Sequence, residues 1–404
     1  MAGQLKVNGV TLATEESGTV TLEAPQIKDS SNNVILDQSG TNPVLKNVEV
    51  VNNSSMMFRN RIINGDMRID QRNAGGSVTF NDETFPVDRF RGNCTQSSKL
   101  NAQKSTNAPS GFTNSLLITS SSSYSVADGD VFQLSQFIEG FNVGDLGWGT
   151  ANAKTITVSF WVRSSLTGTF GGALKNSTGG DRSYPFVYTI SLVDNWEYKT
   201  VTIPGDTSGT WLTDNSLGIR LSFSLGAGST YSGTAGAWAG VNYWSATGAT
   251  SIVGTSGATF YITGVQLEVG TVATPFEHRP YGTELGLCQR YYEVMVIPSR
   301  GIHGHYSPNG GTSDAAAFHG FFTPFKQTKR ITPIIPSVTS NSAWAILSYS
   351  NYSAATTHTF RAQAISTEGF SPVANRVAGN NGPSLGSVYS WQTTVTYHID
   401  AEIY

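Results

Sequence analysis

The apolar residues of this 404-residue chain recur with a period of two in short runs, and over residues 58–281 no 3.6-residue period is sustained. Strand side chains alternate between the faces of a sheet, so such runs bury one face and leave the other wet. The stretch Thr155-Ile156-Thr157-Val158-Ser159-Phe160-Trp161-Val162 alternates up to its final apolar triplet. Tyr198-Lys199-Thr200-Val201-Thr202-Ile203 alternates as well, and Pro204-Gly205 stops it. Further strands are predicted over 188–192, 219–225 and 259–267, with one helical turn near 143–146. Composition agrees. The chain has 43 glycines, and only 13% of its residues are charged, against roughly 25% in globular domains. The predicted class is all-β. Low charge also suits a surface that is partly covered by other subunits.

The pattern divides the chain into four parts. Residues 1–57 hold short alternating segments, with Asn8-Gly9 between Leu5-Lys6-Val7 and Val10-Thr11-Leu12 as a hairpin signal. They are too sparse in large apolar residues to bury a core alone. Three intertwined copies would supply the missing surface, so an N-terminal fibrous β segment and a homotrimer are expected. Residues 58–281 read as a jelly-roll β-sandwich. Tyr231, Trp238, Tyr243 and Trp244 lie in its Gly-rich and Ser-rich stretch 226–258 and are expected to pack in the core or between subunits. Residues 282–297 are expected to form a short linking helix capped by Thr283, with Leu285, Cys288, Tyr291 and Tyr292 on one face. Residues 298–404 return to β as a sandwich-like C-terminal tip domain.

Several function classes find no support. The net charge is −3 and no basic run occurs, so no nucleic-acid partner is indicated. No apolar run is long enough to span a membrane, and Met1 opens no signal-peptide pattern. Cys94 and Cys288 are far apart in sequence and are expected as free thiols of a reducing compartment. A catalytic reading lacks a constellation. Asp82-Glu83 and Glu15-Glu16 are adjacent, which on a strand sends them to opposite faces, whereas glycosidase carboxylates must face each other. Gly226-Ala227-Gly228-Ser229 and Gly254-Thr255-Ser256-Gly257 lack nucleophile-elbow spacing. The Gly pairs at 75–76, 171–172 and 179–180 are not followed by a phosphate-loop Lys-Ser/Thr. No enzyme and no cofactor is expected. Asp66 and Glu268 could meet where first and last strands pair, a place for a structural Ca²⁺. Asp88-Arg89 and Glu277-His278-Arg279 are expected to form ion pairs at strand ends.

Several motifs, in order, resemble a widespread family of tailed-bacteriophage tail proteins. They are Asn60-Arg61-Ile62-Ile63-Asn64-Gly65-Asp66-Met67, Phe85-Pro86-Val87-Asp88-Arg89-Phe90, Ser159-Phe160-Trp161-Val162-Arg163-Ser164-Ser165 and Trp196-Glu197-Tyr198. They continue in Thr263-Gly264-Val265-Gln266-Leu267-Glu268-Val269-Gly270, Ala273-Thr274-Pro275-Phe276-Glu277-His278-Arg279 and Leu287-Cys288-Gln289-Arg290-Tyr291-Tyr292. Together they cover about residues 58–293. The same region more loosely resembles a carbohydrate-binding-module jelly roll, in fold more than in sugar binding. The resemblance implies a tail fibre subunit, made in the bacterial cytoplasm and located in the virion. Its N-terminal segment would attach to the tail or baseplate, and its distal domain would bind a host-surface glycan or protein. The alternatives are a baseplate or adaptor fibre without a receptor role, and a polysaccharide-degrading enzyme. Candidate receptor contacts are Tyr306, Trp344, Tyr349 and Tyr352, aromatics able to stack on sugar rings. His303-Gly304-His305 is a candidate metal pair. If extended, its two imidazoles share a face, and three copies about an axis would offer six nitrogens to a transition metal.

Overall fold

The computed structural model describes residues 58–176, 182–296, 322–336, 362, 364–372 and 396–402 with their side chains. It also describes the backbone of strands between 3 and 45, at 297, and between 303 and 400. The chain divides into two compact units, Met1–Met57 and Phe58–Tyr404. In the first, Gly3–Val7, Val10–Glu16 and Thr19–Leu22 form one antiparallel sheet, and Gln26–Lys28, Val34–Asp37 and Val44–Leu45 form another. Val7 pairs with Val10, so only Asn8 and Gly9 join these strands, as the hairpin signal predicts.

The second unit is built on a two-sheet sandwich, and the all-β expectation holds. Its strands are β1 (Val78–Thr79), β2 (Phe90–Cys94), β3 (Leu100–Ser105), β4 (Ser115–Ser120), β5 (Val131–Glu139), β6 (Ile156–Ser164), β7 (Gly168–Lys175), β8 (Ser183–Ile190), β9 (Glu197–Ile203), β10 (Leu217–Ala227) and β11 (Thr259–Val269). The six-stranded sheet runs β9-β6-β11-β4-β3-β1 and the five-stranded sheet β8-β7-β10-β5-β2, with antiparallel neighbours throughout. The period-two pattern explains the layering. Ile156, Val158, Phe160 and Val162 of β6 are fully buried, while Trp161 and Arg163, next to Val162, are half-buried on the other face. Phe160 meets Phe223 of the opposite sheet at 4.9 Å and Tyr188 at 5.0 Å, both edge to face, the favoured geometry for aromatic pairs. The expected turn near 143–146 is a 3-10 helix at Gly144–Leu146.

The helix α1 covers Tyr281–Gln289 and starts from Pro280, with no side-chain cap, so Thr283 does not cap it. It ends before Tyr291 and Tyr292, and Tyr292–Ile297 is already a strand paired with Val395–Asp400. Cys288 and Tyr291 still pack together, against Ile63, Ile69, Phe137 and Leu217 of the sandwich. Cys94 and Cys288 are both free. Beyond them, six strands align in the order Val338–Ser340, His358–Gln363, Gly369–Arg376, Ala316–His319, His303–Pro308, Val388–Ser390. No helix among the described residues is long and apolar enough to cross a membrane.

Candidate binding site

Polar residues from five of the motifs meet in one buried network. Asn60 stands in for a strand residue beside β11. Its side chain donates to Val265 O at 3.2 Å and accepts from Leu267 N at 3.0 Å. Gly65 lies so close that a Cβ there would sit 2.2 Å from Val265 O, which is why glycine occupies the position. Asn64 adopts φ 59°, a conformation Asn tolerates. Its side chain donates to Ile69 O at 2.8 Å and to Asp88 O at 2.9 Å. Arg279 donates to Ile62 O at 3.1 Å and pairs with Glu284 at 3.3 Å. Arg290 grips Glu139 through two bonds of 2.6 and 2.9 Å, and Tyr291 OH donates to the same carboxylate at 2.7 Å. Arg89 pairs with Glu402 and stacks 3.5 Å from the Tyr291 ring centre. Burial pushes the Asp88 carboxyl up to about 6, against the pull of Arg72 at 3.7 Å. These residues serve architecture. They join the 60–65 segment, β11, the helix and the 400–402 segment.

The expected ion pairs exist, most of them with partners distant in sequence. Asp88 faces Arg72, Arg89 faces Glu402, and Arg279 faces Glu277 and Glu284. Asp66 is paired with Arg68, while Glu268 accepts from Thr274 Oγ1 at 2.7 Å and lies 3.6 Å from Arg59. No group of three or more His, Cys, Asp or Glu suited to a metal occurs among the described residues. His303 and Tyr306 lie with His305 in the His303–Pro308 strand, where His305 is opposite His319. Trp344 and Tyr352 lie in paired strands, Trp344–Leu347 and Tyr352–Ala355. The side chains of these five, and Tyr349 altogether, lie outside the described residues.

A concave site does form at one end of the sandwich. Trp148, from the loop after β5, meets Trp211 at 4.7 Å and Trp238 at 5.5 Å, and Trp211 meets Trp238 at 5.6 Å, all edge to face. Each indole N–H is already used. Trp148 donates to Lys154 O, Trp211 to Ser208 O and Trp238 to Pro204 O, at 2.8–3.1 Å. The three loops are therefore tied to the ring cluster. Arg182 holds Asp206 through two bonds of 2.7 Å beside it. Next to the cluster opens a cleft of about 180 Å³, lined by Leu146, Trp148, Trp211, Leu212, Thr213 and Ile219 among others. Its lining is mostly apolar with a few polar edges, as in small-ligand sites, although it is smaller than the roughly 300–1,000 Å³ such sites usually offer. Aromatic walls of this kind can hold the C–H face of one sugar-sized ring. Sequence reading named Trp238 but neither Trp148 nor Trp211. The three stand in separate loops with no shared period, so only the presence of aromatics in Gly-rich loops could have hinted at them.

No protein-family model matches the chain, and no curated protein matches it. Solved structures give distant likenesses. The enzymatically active domain of bacteriophage CBA120 tailspike protein 4 matches over 52% of this chain and 22% of its own, at 11% identity and TM-score 0.30. A family 4 carbohydrate-binding module matches over 51% of this chain and 98% of its own, at 15% identity and TM-score 0.26. The family 11 carbohydrate-binding module of a Clostridium thermocellum cellulosomal cellulase matches over 52% and 100%, at 14% identity and TM-score 0.25. At these values none of them assigns the chain to a family.

Proposed function

We propose that this chain is a tail fibre subunit of a tailed bacteriophage, a structural virion protein that binds host-surface glycan and carries out no chemistry. The observation that carries the reading is the ordered motif string over 58–293. Its most specific residues, from Asn60 to Tyr291, are spent on one buried network. That is the use expected of a shared architecture. The tryptophan cleft adds a place where a sugar ring can rest. In this reading residues 1–57 attach to the tail or baseplate as part of a homotrimer. Residues 298–404 face outward, and Tyr306, Trp344, Tyr349 and Tyr352 are candidate receptor contacts there.

Adsorption decides the matter. Purified full chain should bind cells of a susceptible bacterium and block infection, and antibody-labelled virions should show it on the tail. A chain that labels the tail but neither binds nor blocks is a baseplate or adaptor fibre. Release of reducing sugar from host polysaccharide would make it an enzyme instead. Exchanging residues 298–404 between related phages should exchange host range. Host range that follows residues 58–281 would move recognition to the sandwich.

A further inference from the structure

The cleft beside the tryptophan cluster is lined unevenly. Val143, Leu146, Trp148 and Ile219 are its buried residues, whereas Gly144, Thr150 and Thr213 are exposed. Its inner lining is therefore aliphatic and aromatic, and the hydroxyls stand at the mouth. Most polar atoms of the lining are already bonded within the protein. The indole N–H groups of Trp148 and Trp211 donate to Lys154 O and Ser208 O. Thr150 Oγ1 donates to Gly147 O at 2.6 Å and accepts from Asn152 N at 3.2 Å. Leu146 N and Gly147 N donate to Val143 O and Gly144 O at 3.1 and 3.3 Å, and Leu146 O accepts from Lys154 N at 2.9 Å. The walls are held in place by backbone bonds. Gly140 N donates to Ser216 O and Phe141 N to Asp214 O, both at 2.8 Å, and Gly149 N donates to Asp206 O at 2.7 Å. These tie the loop after β5 to the loop before β10, so a ligand entering the cleft has little to order.

We propose that the cleft takes the N-acetyl group of an amino sugar, with its methyl among Val143, Leu146 and Ile219, its amide at the mouth beside Thr213, and the sugar ring outside against Trp211. Hydrogen bonding selects this arrangement. A whole pyranose pushed inside would bury hydroxyls where few open partners exist, and a buried hydroxyl without a partner loses the bonds it made to water. A methyl group has no such bonds to lose and gains by leaving water. Size then separates the apolar substituents. The cleft measures about 180 Å³, close to the apolar cavity of about 150 Å³ that holds one benzene molecule. The lone methyl of a deoxy sugar would leave most of it empty and its walls short of dispersion contacts. An acetamido group fills more of it, and its N–H and C=O stay at the end where water and the Thr213 hydroxyl can serve them. No charged residue among those described lines the cleft, which suits a neutral amide better than a free amine or a carboxylate. Trp211 is half-buried and belongs both to the cleft and to the ring cluster. A sugar ring lying on it therefore has its substituent at the mouth.

The inference rests on the glycan-binding reading and narrows it to one class of sugar. The test is calorimetric titration of the full chain with oligomers of N-acetylglucosamine and of glucose. The two are matched in linkage and length, so only the substituent on the second ring carbon differs. The N-acetylated oligomer should bind at least tenfold tighter. Gly144 offers a way to fill the cleft, since a Cβ there would make ordinary contacts with Thr213 at 3.5 and 3.6 Å. Gly144→Leu should bring the two oligomers to the same affinity, and Gly144→Ala should reduce the preference. A thermal melt shows that each variant is folded, and if the leucine variant is not, the alanine variant carries the comparison. Equal affinities in the wild type overturn the proposal, as does a preference that a folded Gly144→Leu or Gly144→Ala variant keeps in full. Equal affinities that Trp211→Ala abolishes would leave the proposed function standing while this inference falls. Binding of neither oligomer also overturns the inference, and adsorption of the full chain to host cells then shows whether the glycan reading survives.

Discussion

Single side chains in this protein act through partners far away in sequence. Arg89 is 2% exposed and its partner Glu402 1%, and Arg89 also donates to Phe137 O. Arg89→Ala leaves the buried Glu402 carboxylate with Arg72 alone, at 3.4 Å, and should cost up to about 3–5 kcal/mol. Urea denaturation measures this. Arg89→Met combined with Glu402→Leu should cost much less, since no charge is then stranded. Asp130 sets a pH window. Burial would raise its carboxyl, but Tyr124 OH at 2.7 Å, Thr95 Oγ1 at 2.7 Å, Ala127 N at 3.0 Å and Gln96 at 3.3 Å hold it down at about 2. A depressed carboxyl stabilises the fold above its unfolded pKa, near 4, and loses that contribution as pH falls towards 2. The Tm gap between the wild type and Asp130→Asn should therefore be full at pH 6 and should close between pH 4 and 2. A gap that persists at pH 2 would show that the substituted amide merely packs badly.

At the scale of elements, two glycines separate close approach from helix propensity. Gly65 supports the antiparallel-like contact with β11, where Val265 N donates to Gly65 O at 2.9 Å. Gly65→Ala drives a Cβ into Val265 O and should cost at least about 2 kcal/mol. Gly282 in the helix has nothing within 4 Å of a built Cβ, so Gly282→Ala should add about 0.5 kcal/mol. Thermal melts of the two variants should move in opposite directions. At the tryptophan cleft, Trp211 is half-buried and Trp148 is 8% exposed. Trp211→Ala should therefore lose at least tenfold in glycan affinity at modest cost in stability. Trp148→Ala should lose stability first, by about 3–5 kcal/mol.

For the whole molecule, the Met1–Met57 unit holds two three-stranded sheets of short strands. Sheets of this size have little apolar surface to bury alone, so light scattering at micromolar concentration should return three times the chain mass. A monomer mass would refute the trimer. The Phe58–Tyr404 unit behaves as one block because contacts cross it from end to end. Arg330 donates to Ala401 O, Asn215 O and Glu402 O at 2.7–3.0 Å, and Lys329 pairs with Glu293 at 2.7 Å. Deleting 395–404 removes the partner strand of Tyr292–Ile297 and the Glu402 anchor. The sandwich itself should then melt earlier, not only the segment after residue 297.

The all-β class, the core face of β6, the hairpin at Val7 and Val10 and the approximate spans of β9, β10 and β11 were legible in the chain because they depend on local alternation and turn residues. Those signals need only neighbours two or three positions away. The helix was legible in place but not in extent, because the pairing of Tyr292–Ile297 with Val395–Asp400 ends it, and that partner lies about a hundred residues downstream. The motif residues could be seen to be unusual, yet their work could not. Asn60, Asn64, Arg89 and Arg279 satisfy groups that only the folded chain brings near. The same holds for the candidate binding cleft. Trp148, Trp211 and Trp238 share no period. Periodicity assigns a residue to a face, whereas register, loop closure and burial decide what it meets there, and those depend on non-local contacts that no short window of sequence contains.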